Sequence, residues 1–212
     1  MFKKITLGIG VITVFFIVLF STFFSQLYDI NYYEKKFEKY GVYDKFSREQ
    51  ARNATLNIFS FFKDQDQLDN EFFNGNEISH MQDVKILIQK SQQIFYISLT
   101  IFWIILIVYY LMNRKEFINF FSELLFYSGV LVFGVMTLFL LIYISTGFDF
   151  IFIKFHELFF TGNYSFNPKI SNLKSLFPDY FFRDISIIIS LKIYVKTLLL
   201  LITGFFFMKK FK

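Results

Sequence analysis

The chain has 212 residues, of which 55% are apolar, only 18% are charged and 35 are phenylalanine; a soluble domain of this size has too much surface to hide so many rings. It contains no cysteine, which excludes disulfides, thiolate metal sites and acyl-thioester intermediates. The formal charge of +5 is accounted for by basic residues beside apolar stretches, and no glycine-rich phosphate loop is present, so nucleic acid is not an expected partner.

A membrane-spanning helix needs about 20 mostly apolar residues. Four stretches meet that length, at about residues 5–24, 94–111, 124–145 and 187–208. The first is too long for the apolar core of a signal peptide, and no small-residue cleavage site follows it, so it reads as an uncleaved span. Lys3 and Lys4 precede the first span, Arg114 and Lys115 link the second and third, and Lys209, Lys210 and Lys212 follow the fourth. Four crossings put all three clusters on one side, which makes both termini cytoplasmic. The outer side then receives two loops, about residues 25–93 and 147–184. The fold class expected is all-α: a polytopic membrane four-helix bundle forming one domain over residues 1–212, with a helical extracytoplasmic cap from the first loop.

The first loop is not low-complexity. Tyr33, Phe37, Tyr40 and Tyr43 recur at near-helical spacing, and Gly41 marks a break. A second amphipathic stretch covers residues 48–62, with Ala51, Ala54, Ile58, Phe61 and Phe62 on its apolar face. An acidic segment leads to Asn74-Gly75-Asn76, a turn signal. Ser79 and Gln82 have the spacing of a capping box, which predicts a helix start that runs on into the second span. His80 and Asp83, three residues apart, share a face of that helix, where a carboxylate can orient an imidazole; most such pairs are ordinary surface pairs.

The second loop opens with Phe155-His156-Glu157 and stays rich in aromatic residues through Phe166 and Phe177 to Phe182, a composition suited to the membrane–water interface. Parts of it can re-enter the bilayer only where buried in protein. The chain has two histidines, His80 and His156, one in each outer loop and each with a carboxylate nearby. Imidazole is the side chain best matched to proton transfer near neutral pH, and the interface is where lipid ester chemistry needs it. Lys192 and Lys196 share a face of the fourth span. Two readings stand equally: lysines snorkelling to the outer interface, or cations that bind a lipid phosphate or a developing negative charge.

Several segments together resemble a family of four-span prokaryotic integral membrane proteins that includes the lipoprotein intramolecular transacylase. They are Phe37-Glu38-Lys39-Tyr40-Gly41-Val42-Tyr43, His80-Met81-x-Asp83-Val84-Lys85, Phe155-His156-Glu157-x-Phe159-Phe160-x-x-Asn163, Leu176-Phe177-Pro178 and Phe181-Phe182-x-Asp184. The chain departs from the family pattern at Phe166 and Asn167, where a tryptophan and an aspartate are expected nearby.

The resemblance implies an enzyme that moves the sn-2 acyl chain of a diacylglyceryl-cysteine lipoprotein onto that cysteine's own α-amino group, giving a lyso-form lipoprotein. The partners implied are the diacylated lipoprotein N-terminus and membrane lipids. No cofactor and no metal are called for. The amine is itself the nucleophile, so two imidazoles can divide the proton work, and His80 and His156 are the catalytic candidates. Asp83 or Glu157 is expected to orient an imidazole, and Asn163 or a lysine to stabilise the oxyanion; Lys85 is a further supporting candidate. Lys192 and Lys196 are candidates for headgroup contact. The competing readings are a membrane-embedded metal-dependent hydrolase using His80, Asp83, His156 and Glu157 as ligands, and a non-enzymatic membrane assembly factor. No internal repeat supports a carrier.

Overall fold

The structure, a computed structural model, describes residues 2–160, 162 and 164–210. Seven α-helices occur among the described residues, with no strand: α1 (Phe2–Leu27), α2 (Ile30–Lys39), α3 (Arg48–Phe62), α4 (Gly75–Met112), α5 (Phe117–Phe159), α6 (Asn172–Leu176) and α7 (Asp179–Lys210). The helices α1, α4, α5 and α7 are long and apolar enough to cross a membrane. The protein is therefore a four-span, all-helical membrane protein. Within each span the backbone bonds to itself, as the bilayer core requires.

All four helices run past the apolar stretches that announce them. The largest difference from expectation lies in residues 147–184, which the sequence presents as a loop. There α5 continues to Phe159, interrupted only at Gly147 (φ 80°, ψ 170°). That backbone conformation is closed to most side chains, but residues 148–159 contain neither glycine nor proline, so the helix resumes. Helix α7 starts at Asp179, directly after Pro178, whose carbonyl accepts from the Phe181 amide.

Packing divides the chain into two compact units. The first comprises Met1–Phe23, Gln92–Ser145 and Ile189–Lys212. Its interior is built from Val14, Val18, Leu106, Tyr109, Phe120, Leu124, Val132 and Ile193. The Tyr109 and Phe120 rings stack with centroids 3.8 Å apart, and Lys3 pairs with Glu123 at 2.9 Å. Trp103, Leu111, Ile144 and Leu199 remain largely exposed, as expected of side chains that meet lipid. Buried hydroxyls bond back to their own helix: Thr22 to the Val18 carbonyl, Ser122 to Ile118 and Thr197 to Ile193. Glycines set the closest helix approach, because lipid supplies no hydrophobic force between spans and packing must be direct. A Cβ on Gly204 would stand 2.5 Å from the Phe126 backbone nitrogen.

The second unit comprises Phe24–Ser91 and Thr146–Ile188. Asp29 caps α2, and Ser47 with Gln50 forms a capping box on α3. Tyr33 and Phe37 on α2 face inward, as their spacing predicts, and pack on Phe59, Phe177 and Phe181. Asp184 on α7 ties this cluster to α2. It accepts from Lys36 at 2.5 Å, from Lys39 at 2.9 Å and from the Tyr40 hydroxyl at 2.5 Å. Burial works against its charge, but these three donors hold its carboxyl well below the usual carboxylate range.

The glycine packing in the first unit is directly testable. Gly204→Ala should destabilise the protein by about 1–3 kcal/mol, because backbone on α5 must move. Gly134→Ala, with nothing within 4 Å of the new methyl, should be neutral or gain up to about 1 kcal/mol of helix propensity. Thermal unfolding of both variants in detergent micelles decides it; equal midpoints would show that the α5–α7 approach is not close.

Candidate active site

Helix α4 starts one turn earlier than the Ser79–Gln82 pattern predicts. The Asn74-Gly75-Asn76 turn signal proves to be its cap: the Asn74 side chain accepts from the amides of Asn76 and Glu77, both at 3.1 Å, and the Glu77 carboxylate accepts from the Asn74 amide at 2.8 Å. This Asn-x-x-Glu capping box places His80 in the second turn of α4. His156 lies on residues 148–159, the part of α5 beyond Gly147. Both positions precede or follow the apolar spans, and both belong to the second unit.

The structure brings the two histidines together. Their ring centroids are 6.1 Å apart with the planes inclined by 19°, and the residues are only 8% and 9% exposed. Aromatic rings form the walls. Phe160 and Phe166 pack edge-on against His80 at 5.0 and 5.5 Å. Phe152, Phe160 and Tyr164 surround His156 at 4.2, 5.3 and 5.3 Å.

The Nδ1 atom of His156 lies 2.7 Å from the Phe152 carbonyl oxygen. A carbonyl can only accept, so Nδ1 carries the hydrogen and Nε2 carries the lone pair. The Nδ1 atom of His80 is buried with no hydrogen-bond partner among the described residues. Burial pushes the His80 pKa down to about 4; His156 adds to the effect, and Asp83 opposes it. Burial also lowers His156. The Phe152 carbonyl opposes that shift, Lys174 adds to it and Asp179 works against it. At neutral pH both imidazoles are uncharged.

The supporting residues named from sequence fare differently. Asp83 is half-buried and acts on His80 through its charge, but among the described residues no hydrogen bond joins the two. Glu157 turns outward to Lys154 at 2.6 Å. The partner that orients His156 is therefore a backbone carbonyl one helical turn away, not a carboxylate. Lys85 is engaged with Asp64 at 2.5 Å and lies over the Phe61 ring. Asn163 lies outside the described residues. Lys192 and Lys196 belong to the first unit; Lys196 donates to Ser21 at 3.2 Å, and Lys192 is exposed. Among the described residues no group of three or more His, Asp or Glu side chains is placed to share a metal ion.

Comparison with known proteins identifies the family and the fold. The family model of the lipoprotein intramolecular transacylase Lit matches residues 5–182. The chain belongs to the lipoprotein intramolecular transacylase (Lit) family. Among solved structures it is similar to the membrane-integral Lit of Bacillus cereus, with a TM-score of 0.85 at 18% identity, covering 99% of this chain and 97% of that one. Two variants of the same Bacillus cereus protein, with one histidine replaced by arginine or by alanine, match with TM-scores of 0.77 and 0.78 at 16% identity, covering 99% of this chain and 93% and 94% of theirs. A search of curated proteins finds no match. Membership ties this chain to a family of transacylases named for lipoproteins, and the Lit fold extends over essentially all of it.

Sequence reasoning missed Glu77, the Phe152 carbonyl and the ring contacts of Tyr164. Asn74-x-x-Glu77 was legible as a capping pattern beside the weaker Ser79–Gln82 one.

The depressed imidazoles have a consequence for stability. The unfolded chain takes up protons near pH 6.5, while folded His80 resists until about pH 4. Between those values the unfolded state binds more protons, so stability is lost as pH falls through this window. Thermal midpoints in micelles should drop from pH 7 to pH 4.5, and His80→Phe should flatten that drop. A wild-type midpoint as pH-independent as that of the variant would mean that His80 is solvated.

Proposed function

We propose that this protein catalyses intramolecular O-to-N acyl transfer on a diacylglyceryl-cysteine lipoprotein, with His80 and His156 as the catalytic pair. The observation that carries the reading is the pairing of two buried, uncharged imidazoles from different helices in a chain of the Lit family. The α-amino nitrogen attacks the sn-2 ester carbonyl, a nitrogen–carbon bond forms, the ester carbon–oxygen bond breaks, and one proton passes from nitrogen to the departing glycerol oxygen. Atoms balance with no water, cofactor or enzyme-bound acyl group. Amine and ester sit on one anchored molecule, which supplies effective concentration.

His156 is the better base, because its tautomer is fixed with Nε2 as acceptor. It takes the proton from the attacking nitrogen and returns it to the alkoxide. His80, held neutral, serves as an N–H donor to the developing oxyanion, where an uncharged imidazole is an effective electrophile. A site walled by rings disfavours an ammonium and favours the free amine that the reaction needs. The basic clusters beside the spans support cytoplasmic termini, and with them an extracytoplasmic site that meets lipoproteins in the outer leaflet. The unpartnered Nδ1 of His80 leaves an edge for a substrate contact, and membrane lipids are the natural neighbours of the exposed spans.

The test is chemical. Expressed in a bacterium that makes diacylated lipoproteins and lacks this activity, the protein should leave the lipopeptide mass unchanged while tandem mass spectrometry moves one acyl chain from glycerol to the amine. His156→Ala and His80→Ala should each slow transfer by roughly 100- to 10,000-fold. A wild type that leaves the amine free defeats the proposal; full activity in both variants defeats the site assignment.

A further inference from the structure

Glu77 is fully buried, with no exposed surface. One of its carboxylate oxygens completes the α4 cap through the Asn74 amide. The other reaches across the fold, accepting from the Ser171 hydroxyl at 2.5 Å and from the Leu173 amide at 2.8 Å. Asn172 adds a bond to the Phe72 carbonyl at 2.7 Å, and Leu176 beyond it is completely buried. Residues 171–173 are thereby fixed on the first turn of α4, one turn before His80. Five residues upstream of Ser171 is Phe166, which packs edge-on against the His80 ring. A helix cap needs only the first of these carboxylate contacts. The second set joins the His80 helix to the segment that covers His80.

We infer that Glu77 is a positioning residue for the transacylase site: its carboxylate clamps residues 171–173 to the start of α4 and so holds Phe166 against His80, keeping that imidazole out of water. The inference rests on the reading of His80 as part of the active site. Its test does not depend on turnover. The charged and titratable groups that act on His80 are His156 on α5 and Asp83 on its own helix; Lys85 is paired with Asp64, and Lys174 and Asp179 act on His156. None of these is altered by changing Glu77 or Ser171.

The chain has only two histidines, so nitrogen-15 histidine labelling of an untagged protein in micelles reports two titrations without ambiguity. Glu77→Ala should move the His80 titration up toward the ~6.5 of a solvated imidazole and lower kcat on the order of 100-fold. Ser171→Ala, which loses one of the two cross-fold donors, should shift it in the same direction by less. Glu77→Gln keeps an amide oxygen for Ser171 and Leu173 while setting its amino group against the Asn74 amide. It should lose stability yet keep the wild-type titration, and Asn74→Ala should behave likewise. Should Glu77→Ala fail to fold, Ser171→Ala decides. The inference is overturned if folded Glu77→Ala and Ser171→Ala titrate as wild type does, for Glu77 is then a helix cap alone. Shifted titrations in a protein whose wild type moves no acyl chain support the clamp and defeat the transacylase reading instead.

Discussion

In a chain this apolar, the constraint on which everything else depends is the cost of leaving a polar group without a partner. Neither lipid nor a core of packed rings can hydrogen-bond, so each buried polar atom must be answered by the protein itself. In the spans Thr22, Ser122 and Thr197 meet the demand locally, each bonded to the carbonyl one turn back, while the Ser128 hydroxyl has no partner among the described residues. The second unit meets it with two acidic residues. Asp184 gathers Lys36, Lys39 and Tyr40, and Glu77 gathers the Asn74 and Leu173 amides with the Ser171 hydroxyl. Each joins segments far apart in sequence, and removal of either carboxylate would strand several donors at once.

The histidines are treated differently. His156 has its Nδ1 on a backbone carbonyl. His80 keeps a buried Nδ1 without a partner among the described residues. A protein that answers the carboxylates of Asp184 and Glu77 so thoroughly leaves one imidazole nitrogen unanswered where two histidine rings meet. Tyr32 and Ser128 likewise keep a buried hydroxyl without a partner among the described residues, but neither faces an imidazole ring as His80 does. Among the described residues the carboxylates nearest in sequence make no hydrogen bond to either ring, and Glu157 pairs with Lys154 instead. Glu157 hydrogen-bonded to His156 would raise its pKa and favour an imidazolium, whereas the Phe152 carbonyl fixes the tautomer without bringing a full charge.

The four spans were legible because a run of about 20 apolar residues is the length a bilayer demands and more than a soluble core usually absorbs. The helices of residues 30–62 were legible because Tyr33 and Phe37, or Ala51, Ala54 and Ile58, repeat at helical spacing. Residues 147–184 were not. There apolar and polar side chains alternate without a clear period, and Gly147 reads as an end when it is only an interruption. The start of α4 was misplaced because two capping patterns lie five residues apart; the local Asn74–Glu77 bonds form the cap, and Ser171 and Leu173 on Glu77 add to it. The pairing of His80 with His156 could be suspected from their shared side of the membrane, but ring contact between residues so far apart in the chain is a property of packing and leaves no local trace.

The proposed transfer calls for neither a cysteine nor a hydroxyl nucleophile on the enzyme. An acyltransferase that parks its acyl group on itself needs an activated nucleophile and must keep water from the acyl-enzyme. A transfer in which donor and acceptor share one molecule needs neither. It needs a neutral base, a neutral hydrogen-bond donor and a dry surface, because water would compete with the amine for the ester. Burial among Phe152, Phe160, Phe166 and Tyr164 supplies all three requirements together: it removes water, and by removing water it holds both imidazoles uncharged. The aromatic excess that marks this chain in its composition thus walls the two imidazoles on which the proposed acid–base chemistry rests.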